Sequence, residues 1–593
     1  MWLKLFSSAA NILTLQVFTI ECSGMKRYIF LFLIGICSLA NAQGLPFPGM
    51  PSSPKHETRA VWLTTFSSLD WPKTKATTDA GRAAQQEELR HMLDRMQEAR
   101  INTVLLQTRV RGTTIYPSSI EPWDGCLTGT PGLSPGYDPL AFAIEECHKR
   151  GMELHAWIVT IPCFKTAAAA KTGTRSVLKT HPRLCIRHED SWYLDPGQPQ
   201  TADYLTAICK EIAEKYDVDG IHMDYIRYPE NAARFNDRES YRKYGRGQNK
   251  SKWRRDNITR CVRRMYTAIK DIKPWIKVSC SPVGKHDDLS RYSSYGWNAR
   301  TAVHQDAQAW LQEGIMDILF PMMYFRDNHF YPFAADWKEN DHGRIVAPGL
   351  GIYFLSAKEK NWPLESISRE LYFIRSAGLG GQAYFRYAFL NENHKGIFDF
   401  LRDTFYPYPA LPMPCTAQDS IAPDMPRELR KTFDGQCTRL QWKPSTDDRC
   451  GQRVRYNVYA SSGTPADTAQ ACQLVAAGLE DCSYAIDDVY CTLSHIHFAV
   501  TATDRSGNES VPARLAAPPS SVFDPRLLPH DGKRLELPEL TCRYIVIEDA
   551  TGRIIHTHSY ARKIHIASLP GGLYIVKTLE KKGRAYRIGE FIK

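Results

Sequence analysis

A chain of 593 residues, 43% hydrophobic and 23% charged, has the composition of ordinary folded domains, about three or four of them, which excludes a mostly disordered or fibrous polymer. A formal charge of +11 spread over this length does not indicate nucleic acid, and there is no phosphate-binding loop, dinucleotide fingerprint or nucleophile-elbow serine. The 13 Trp and 29 Tyr suffice to furnish stacking platforms for sugar rings as well as core.

Residues 1–42 read as a signal region. From Met25, the expected true start, two cations precede an apolar run from Tyr28 to Leu39 and then Ala40-Asn41-Ala42 before Gln43. That is a secretory signal with an A-x-A cleavage site, and its apolar run is too short for a bilayer span. The expectation is an exported protein (periplasm, outer surface or extracellular) with no stable membrane span after cleavage. None of the 16 cysteines forms a C-x-x-C pair or a Cys/His cluster at zinc spacing, so no metal and no cofactor is expected. Six of them (Cys415, Cys437, Cys450, Cys472, Cys482, Cys491) crowd one later region, where an exported protein could bridge some.

Residues 57–410 alternate strand-like and helical runs. The strands are expected at 60–65, 103–109, 153–158, 220–224, 277–283, 318–324, 345–351 and 382–386. Helices are expected near 82–100, 138–150, 200–215, 251–272, 300–313, 331–340, 363–377 and 395–404. Eight β/α units predict a closed parallel barrel. The Pro-rich stretch Tyr406 to Cys415 ends it. Residues 416–517 then alternate in short strands such as Tyr456-Asn457-Val458-Tyr459, with Trp442 on another, and resemble a fibronectin type III sandwich. A second Pro-rich linker (Ala517 to Pro525) leads to residues 533–593. This β segment resembles the C-terminal sorting domain of type IX secretion substrates, which implies an envelope or cell-surface destination. The fold class is therefore α/β: a TIM (β/α)8 barrel followed by two all-β domains.

Catalytic groups of such a barrel project from the C-terminal strand ends, and residues two apart on a strand face the same way. Gln107 with Arg109, His155 with Trp157, His222 with Asp224, and Tyr384 with Arg386 have that spacing, and Tyr324 ends a further strand. All are expected at one mouth. The densest motif runs Asp219-Gly220-Ile221-His222-Met223-Asp224-Tyr225-Ile226-Arg227-Tyr228-Pro229. Asp224, at a strand tip, could meet an anomeric centre as nucleophile, acid or stabiliser. Arg227 nearby is expected to hold it ionised. Asp219, at the other end of the strand, reads as a local cap. An acid–base partner must come from a loop: Asp70, Glu121, Asp195 and Asp327 are candidates, as are Asp124 and Asp287, and each also reads as a solvated or capping carboxylate.

That motif, together with Glu57-Thr58-Arg59-Ala60-Val61-Trp62, Gln107-Thr108-Arg109 through Tyr116-Pro117-Ser118 and Glu121-Pro122-Trp123, and His148 to Trp157, resembles the glycosyl-hydrolase-like family 10 barrels. The resemblance implies a secreted glycosidase. Characterised bacterial relatives act on peptidoglycan glycan strands, preferring strands stripped of stem peptides and so exposing lactyl carboxylates. It makes Arg59, Arg109, Arg227 and Arg386 candidate anion receptors. Gln107, Tyr116, His155, Trp157, His222, Tyr225, Tyr324 and Tyr384 join them as candidate sugar contacts.

Two departures matter. Tyr225 stands where some relatives carry a second Asp. Strand four also echoes the chitinase signature D-G-x-D-x-D-W-E-Y-P, but His222 replaces its middle Asp and Ile226-Arg227 lies where its acid Glu would be. If the substrate carries a 2-acetamido group, that group could be the nucleophile, with Asp224 orienting it. A non-catalytic envelope glycan-binding protein, or a glycosidase of dietary or host polysaccharide, are the alternative readings.

Overall fold

A computed structural model describes residues 53–593 apart from 170–172, 293–295, 434–437, 448–452, 463–464, 487–495, 516–527, 540–543, 550–553 and 580–584. The signal region, the second linker, and Cys437, Cys450 and Cys491 lie outside the described residues.

The first three parallel strands are β1 (Thr58–Leu63), β2 (Thr103–Arg109) and β3 (Glu153–Val159). A small antiparallel sheet follows, made of β4 (Pro162–Lys165), β5 (Cys185–His188) and β6 (Ser191–Leu194). The parallel series resumes with β7 (Gly220–Asp224), β8 (Lys277–Cys280), β9 (Ile318–Leu319), β10 (Ile345–Val346), β11 (Gly349–Leu350) and β12 (Gly381–Tyr384). β10 pairs with β9 and β11 pairs with β12, and β12 returns to β1. β10 and β11 are one run interrupted at Pro348, which has no N–H to give the ladder. Ala347 N donates to Leu319 O at 2.9 Å and Ala383 N to Pro348 O at 3.0 Å, so the sheet closes as an eight-membered barrel.

Period-two alternation divides every strand between two cores. Ala60, Trp62, Leu105, Trp157, Ile318, Phe320 and Ala383 fill the lumen. Val61, Leu63, Val104, Leu106, Ile158, Ile221 and Met223 point outward. They meet helices at Asp79–Glu98, Pro139–His148, Pro199–Lys215, Lys250–Ile272, Tyr331–Glu339 and Leu364–Ser376. Side-chain caps start several of these: Thr78 accepts from Gly81 N at 3.1 Å, and Asp138 from Leu140 N and Ala141 N, both at 3.1 Å. The helix expected near 300–313 is split into Ala299–Ala302 and Ala307–Gln312, and the one expected near 395–404 is made of successive short helical segments, His394–Gly396, Ile397–Phe400 and Leu401–Phe405.

The N-terminal end of the barrel is shut. Met413 and Cys415, from the Pro-rich stretch, pack against the lumen cluster, and inside it Lys277 pairs with Glu153 at 2.6 Å. Beyond that stretch stand two antiparallel sheets. One contains β13 (Arg427–Phe433), β14 (Thr438–Lys443) and β17 (Ser483–Ala485); the other contains β15 (Arg455–Ser462), β16 (Leu474–Leu479), β18 (Ile496–Thr503) and β19 (Ala513–Arg514). They share a core of Leu440, Trp442, Tyr456, Val458, Phe498 and Val500. This unit touches the closed barrel end. Gly151 and Gly478 meet there, each at positive φ, and a Cβ on Gly151 would lie 2.3 Å from the Ala477 carbonyl oxygen. Only glycine permits that approach.

Asp219 is no local cap. It pairs with Arg455 at 3.0 Å, Arg505 at 3.2 Å and His148 at 2.8 Å, joining barrel to sandwich. Cys415, Cys472 and Cys482 are free thiols rather than bridge partners. The final residues form a four-stranded antiparallel sheet, β21 (Tyr544–Asp549), β22 (Ile554–Ser559), β24 (Leu573–Leu579) and β25 (Ala585–Ile592), and a pair, β20 (Arg534–Glu536) with β23 (Lys563–His565). Among the described residues no helix is long and apolar enough to cross a membrane.

Candidate active site

β7 carries the site because of its phase. Gly220, His222 and Asp224 face the lumen, beside His155, Trp157 and Val159 of β3 on one flank and Lys277 and Ser279 of β8 on the other. Gly220 is obligatory: a Cβ there would lie 2.4 Å from His155 Nδ1. One layer up, His222 is clasped on both nitrogens. Trp62 Nε1 donates to its Nε2 at 3.3 Å, and its Nδ1 meets Ser279 Oγ at 3.0 Å. Burial holds its pKa well below the usual histidine range, so it is a neutral spacer.

Asp224 occupies the top layer, at the C-terminal end. Trp157 Nε1 donates to Oδ2 at 3.1 Å, Ser281 Oγ donates to Oδ1 at 2.7 Å, and Tyr225 N also donates to Oδ1 at 2.8 Å. No cation is hydrogen-bonded to it among the described residues. Burial pushes its carboxyl above the usual range, outweighing the donors and the nearby charge of Arg227. This corrects the expectation that Arg227 dominates its ionisation.

Aromatic rings gather around this carboxylate. Tyr324 feels its charge and lies 5.5 Å from the Phe385 ring and 5.8 Å from that of Tyr353. Tyr225 takes a left-handed φ of 51°, turning the chain so that Arg227 follows at the rim. The Arg227 guanidinium lies 4.8 Å from the Tyr225 ring and 5.3 Å from that of Trp297. The geometry thus groups Asp224, Trp157, Tyr225, Arg227 and Tyr324.

Other candidates lie elsewhere. Arg59 and Tyr384 occupy the outward phase of their strands. Arg59 bonds Glu57 at 2.8 Å and the Tyr408 carbonyl at 2.8 Å, and Tyr384 O–H meets Tyr406 O–H at 2.6 Å. Arg109 follows a register shift in β2 and makes a two-pronged pair with Glu121, at 2.8 and 2.7 Å, with neither side chain exposed. Tyr204 O–H completes Glu121 at 2.8 Å. Both are structural. Tyr116 is buried edge-on to Tyr216, and His155 is sealed beside Glu153 at 3.3 Å.

Gln107 faces upward but is spent on the loop after β1, its Oε1 accepting from Thr64 Oγ1, Thr65 N and Phe66 N. Asp70 and Arg386 pair with each other, and Asp70 also accepts from Thr64 N and Ala388 N. Asp195 accepts from Gly197 N at 2.9 Å, and burial lifts its pKa to about 6, without bringing it to Asp224. Asp124 accepts from Thr113 Oγ1 at 2.6 Å and Cys126 N at 2.7 Å, Asp287 pairs with Arg300 at 2.8 Å, and Asp327 is the most exposed of the six acid–base candidates, its side chain 69% exposed on the turn beyond Tyr324.

Sequence reasoning missed Ser281, Tyr353, Trp297 and Arg111. Ser281 had a legible signal: with Ser279 it repeats the two-residue spacing of the other strands. Trp297 sits on a loop and Tyr353 in a single 3-10 turn (Ile352–Leu355), both too short for any periodicity to mark them. No group of His, Cys, Asp and Glu suited to a metal ion occurs among the described residues.

A carboxylate set in an aromatic mouth at the C-terminal end of a parallel barrel suits work on a sugar ring, and comparison with known proteins gives the class. The chain is 35% identical over 305 residues to Glycosyl hydrolase DigH of Escherichia coli (strain K12), covering 47% of this chain and 69% of that protein. It is 29% identical over 504 residues to Glycosyl hydrolase YngK of Bacillus subtilis (strain 168), covering 81% and 95%. The glycoside hydrolase domain of PgaB (BpsB) from Bordetella bronchiseptica superposes at TM-score 0.41 and 15% identity, over 59% of this chain and 98% of that one. The protein is a glycoside hydrolase. Residues 57–350 match the family glycosyl hydrolase-like 10, and the chain belongs to that family.

Proposed function

We propose that this enzyme is exported and cleaves glycosidic bonds in the glycan strands of peptidoglycan or a related amino-sugar polymer, with Asp224 as its central catalytic carboxylate. The observation that carries the reading is the setting of Asp224: a buried carboxylate at the barrel mouth that receives three hydrogen bonds from neutral donors. The Trp157 and Tyr225 N–H groups can only donate, so the geometry suits the ionised form. An oriented carboxylate with no fixed counter-cation can stabilise positive charge developing on a sugar ring, or align a 2-acetamido group that attacks the anomeric carbon. The second route needs one further acid. Asp327, an exposed carboxylate on the turn beyond Tyr324 with Arg326 beside it at 3.4 Å, is the candidate for that role.

The signal region supports export. The two antiparallel sheets between 427 and 514 suit a fibronectin type III-like accessory, and the terminal sheet suits a sorting module.

The test is Asp224→Asn assayed on amidase-treated sacculi by release of reducing ends. Turnover is expected to fall at least about 10³-fold, or about 4 kcal/mol of transition-state stabilisation, with the fold and glycan binding retained. Undiminished release would overturn the assignment.

A further inference from the structure

The small antiparallel sheet that follows β3 carries a thiol on each outer strand, Cys163 on β4 and Cys185 on β5, with β6 between them. Cys163 is buried and Cys185 half-buried, and both are free thiols. Leu194 of β6 pairs with Cys185 on one side, and its N–H donates to the Ile161 carbonyl at 2.8 Å on the other. Cys163 does not run straight on from Ile161. The ladder to β6 shifts register between Pro162 and Lys165, and Cys163 Sγ lies back toward the same Ile161 carbonyl oxygen, at 3.8 Å. Both side chains also approach the Tyr204 ring. Cys163 raises the pKa of its hydroxyl, and Cys185 Sγ lies 3.8 Å from the carbonyl oxygen of His181, whose ring is 5.2 Å from that of Tyr204. Across β6 the two thiols are in hydrogen-bonding contact with each other, and that contact, with burial, pushes the Cys163 thiol well above its usual range.

The sheet matters for its place. Cys163, Phe164 and Tyr193 line a cavity of about 230 Å³ next to the mouth, which Arg111, Arg227 and Tyr225 also line. The hold of β4 on β6 is interrupted where the register shifts, so the ladder is weakest at Cys163 itself. A covalent tie from β4 to β5 would span that weak point and fix this wall of the cavity. The later region in which six cysteines crowd together draws attention in the sequence, yet the thiol contact lies here, between two residues that form no motif.

We propose that Cys163 and Cys185 are a disulfide-forming pair, closed by a thiol–disulfide oxidant such as an exported chain meets, and that the bond staples the cavity wall beside the mouth. Cys185, the thiol within reach of solvent, reacts first. Its thiolate attacks one sulfur of the oxidant's disulfide and expels the other as a thiolate. Cys163 then gives up its proton and attacks Cys185 Sγ, expelling the sulfur that the oxidant left there. One S–S bond forms in the protein and one breaks in the oxidant, which takes up the two electrons and the two protons and ends as two thiols. The step needs no glycan, so it stands apart from the substrate reading.

The experiment incubates purified, fully reduced protein with oxidised glutathione, denatures it in iodoacetamide, digests it with trypsin without reduction and weighs the peptides. The expected product is Gly151–Lys165 joined to Leu184–Arg187, two hydrogens lighter than the two free peptides together. Cys472, the exposed thiol, is expected to remain alkylatable or to carry glutathione. Cys163→Ser should leave glutathione trapped on Cys185, and Cys185→Ser should leave Cys163 as a thiol. In native digestion the oxidised protein is expected to be cut after Lys165 and Arg187 about tenfold more slowly than the reduced protein, because the tie opposes local opening of the sheet. Alkylation of both Cys163 and Cys185 after oxidation, or a bond from either one to a different cysteine, would overturn the pair. A joined peptide with unchanged cleavage would overturn the staple. The oxidant is added to purified protein, so each outcome is independent of the export reading.

Discussion

Asp219 and Asp224 bracket the same strand, are both buried, and have opposite fates. Asp219 faces the closed end, where Arg455, Arg505 and His148 surround it and Leu154 N donates to it at 2.9 Å. Those partners hold its carboxyl well below the usual range despite burial. Asp224 faces the open end, receives only neutral donors, and is pushed up by burial. A carboxylate whose charge is cancelled by fixed cations has no charge to offer a substrate. One that is buried and left uncancelled is costly to the fold and is available for chemistry.

The comparison can be broken by substitution. The largest expected effect is the loss of at least about 10³-fold in turnover for Asp224→Asn, against a change of less than about tenfold in kcat for Asp219→Asn. In denaturant unfolding the order reverses. Asp219→Ala is expected to cost about 3–5 kcal/mol, because Arg455 and Arg505 are left without their anion at the barrel–sandwich contact. A stable Asp219 variant with lost turnover would exchange the two roles.

Opposite pH dependences sharpen the contrast. Asp224 is harder to ionise in the folded than in the unfolded chain, so its charge works against the fold as pH rises above the usual carboxylate range. The unfolding midpoint of Asp224→Asn relative to the parent should therefore climb between about pH 4 and pH 7. Asp219 is easier to ionise when folded. Its contribution is complete above the unfolded carboxylate pKa and is lost as pH falls through the lower, folded one, so Asp219→Asn should be most destabilising near neutrality and least so in acid. Parallel trends for the two variants would remove the distinction.

The smallest effects concern the donors. Trp157→Phe keeps a ring in the lumen but deletes the N–H to Oδ2, and Ser281→Ala deletes the O–H to Oδ1. Each is expected to lower kcat/KM about tenfold, as the loss of one hydrogen bond to a charged group. Each should also move the acid limb of the pH–rate profile upward, since a donor that favours the ionised form is gone. Loss of rate with an unmoved limb would mean that the donors act on something other than Asp224.

Much of the barrel was legible because its strands are buried at every position and so largely apolar, and the polar pairs that interrupt them stand out. The two-residue spacing correctly joined His222 to Asp224 and His155 to Trp157 on common faces. It could not say which face turned inward. On β12 the lumen side belongs to Ala383, leaving Tyr384 against Tyr406 outside. On β2 a register shift between Gln107 and Arg109 sends the arginine to Glu121. Height within the lumen was also illegible. His155 and His222 face inward yet lie beneath the carboxylate layer, so they hold neighbours in place rather than meeting solvent.

By itself the sequence determined the alternation of strand and helix, the eight-unit count, and Asp224 at the tip of the fourth barrel strand, because periodicity and local caps are properties of neighbouring residues. Only the tertiary structure decided which arginines are consumed in buried pairs, which is left facing a cavity, and which of two aspartates on one strand is neutralised. Those outcomes depend on groups distant in the chain, such as Arg455 and Arg505 for Asp219 and Ser281 for Asp224, that barrel closure and sandwich docking bring within hydrogen-bonding reach.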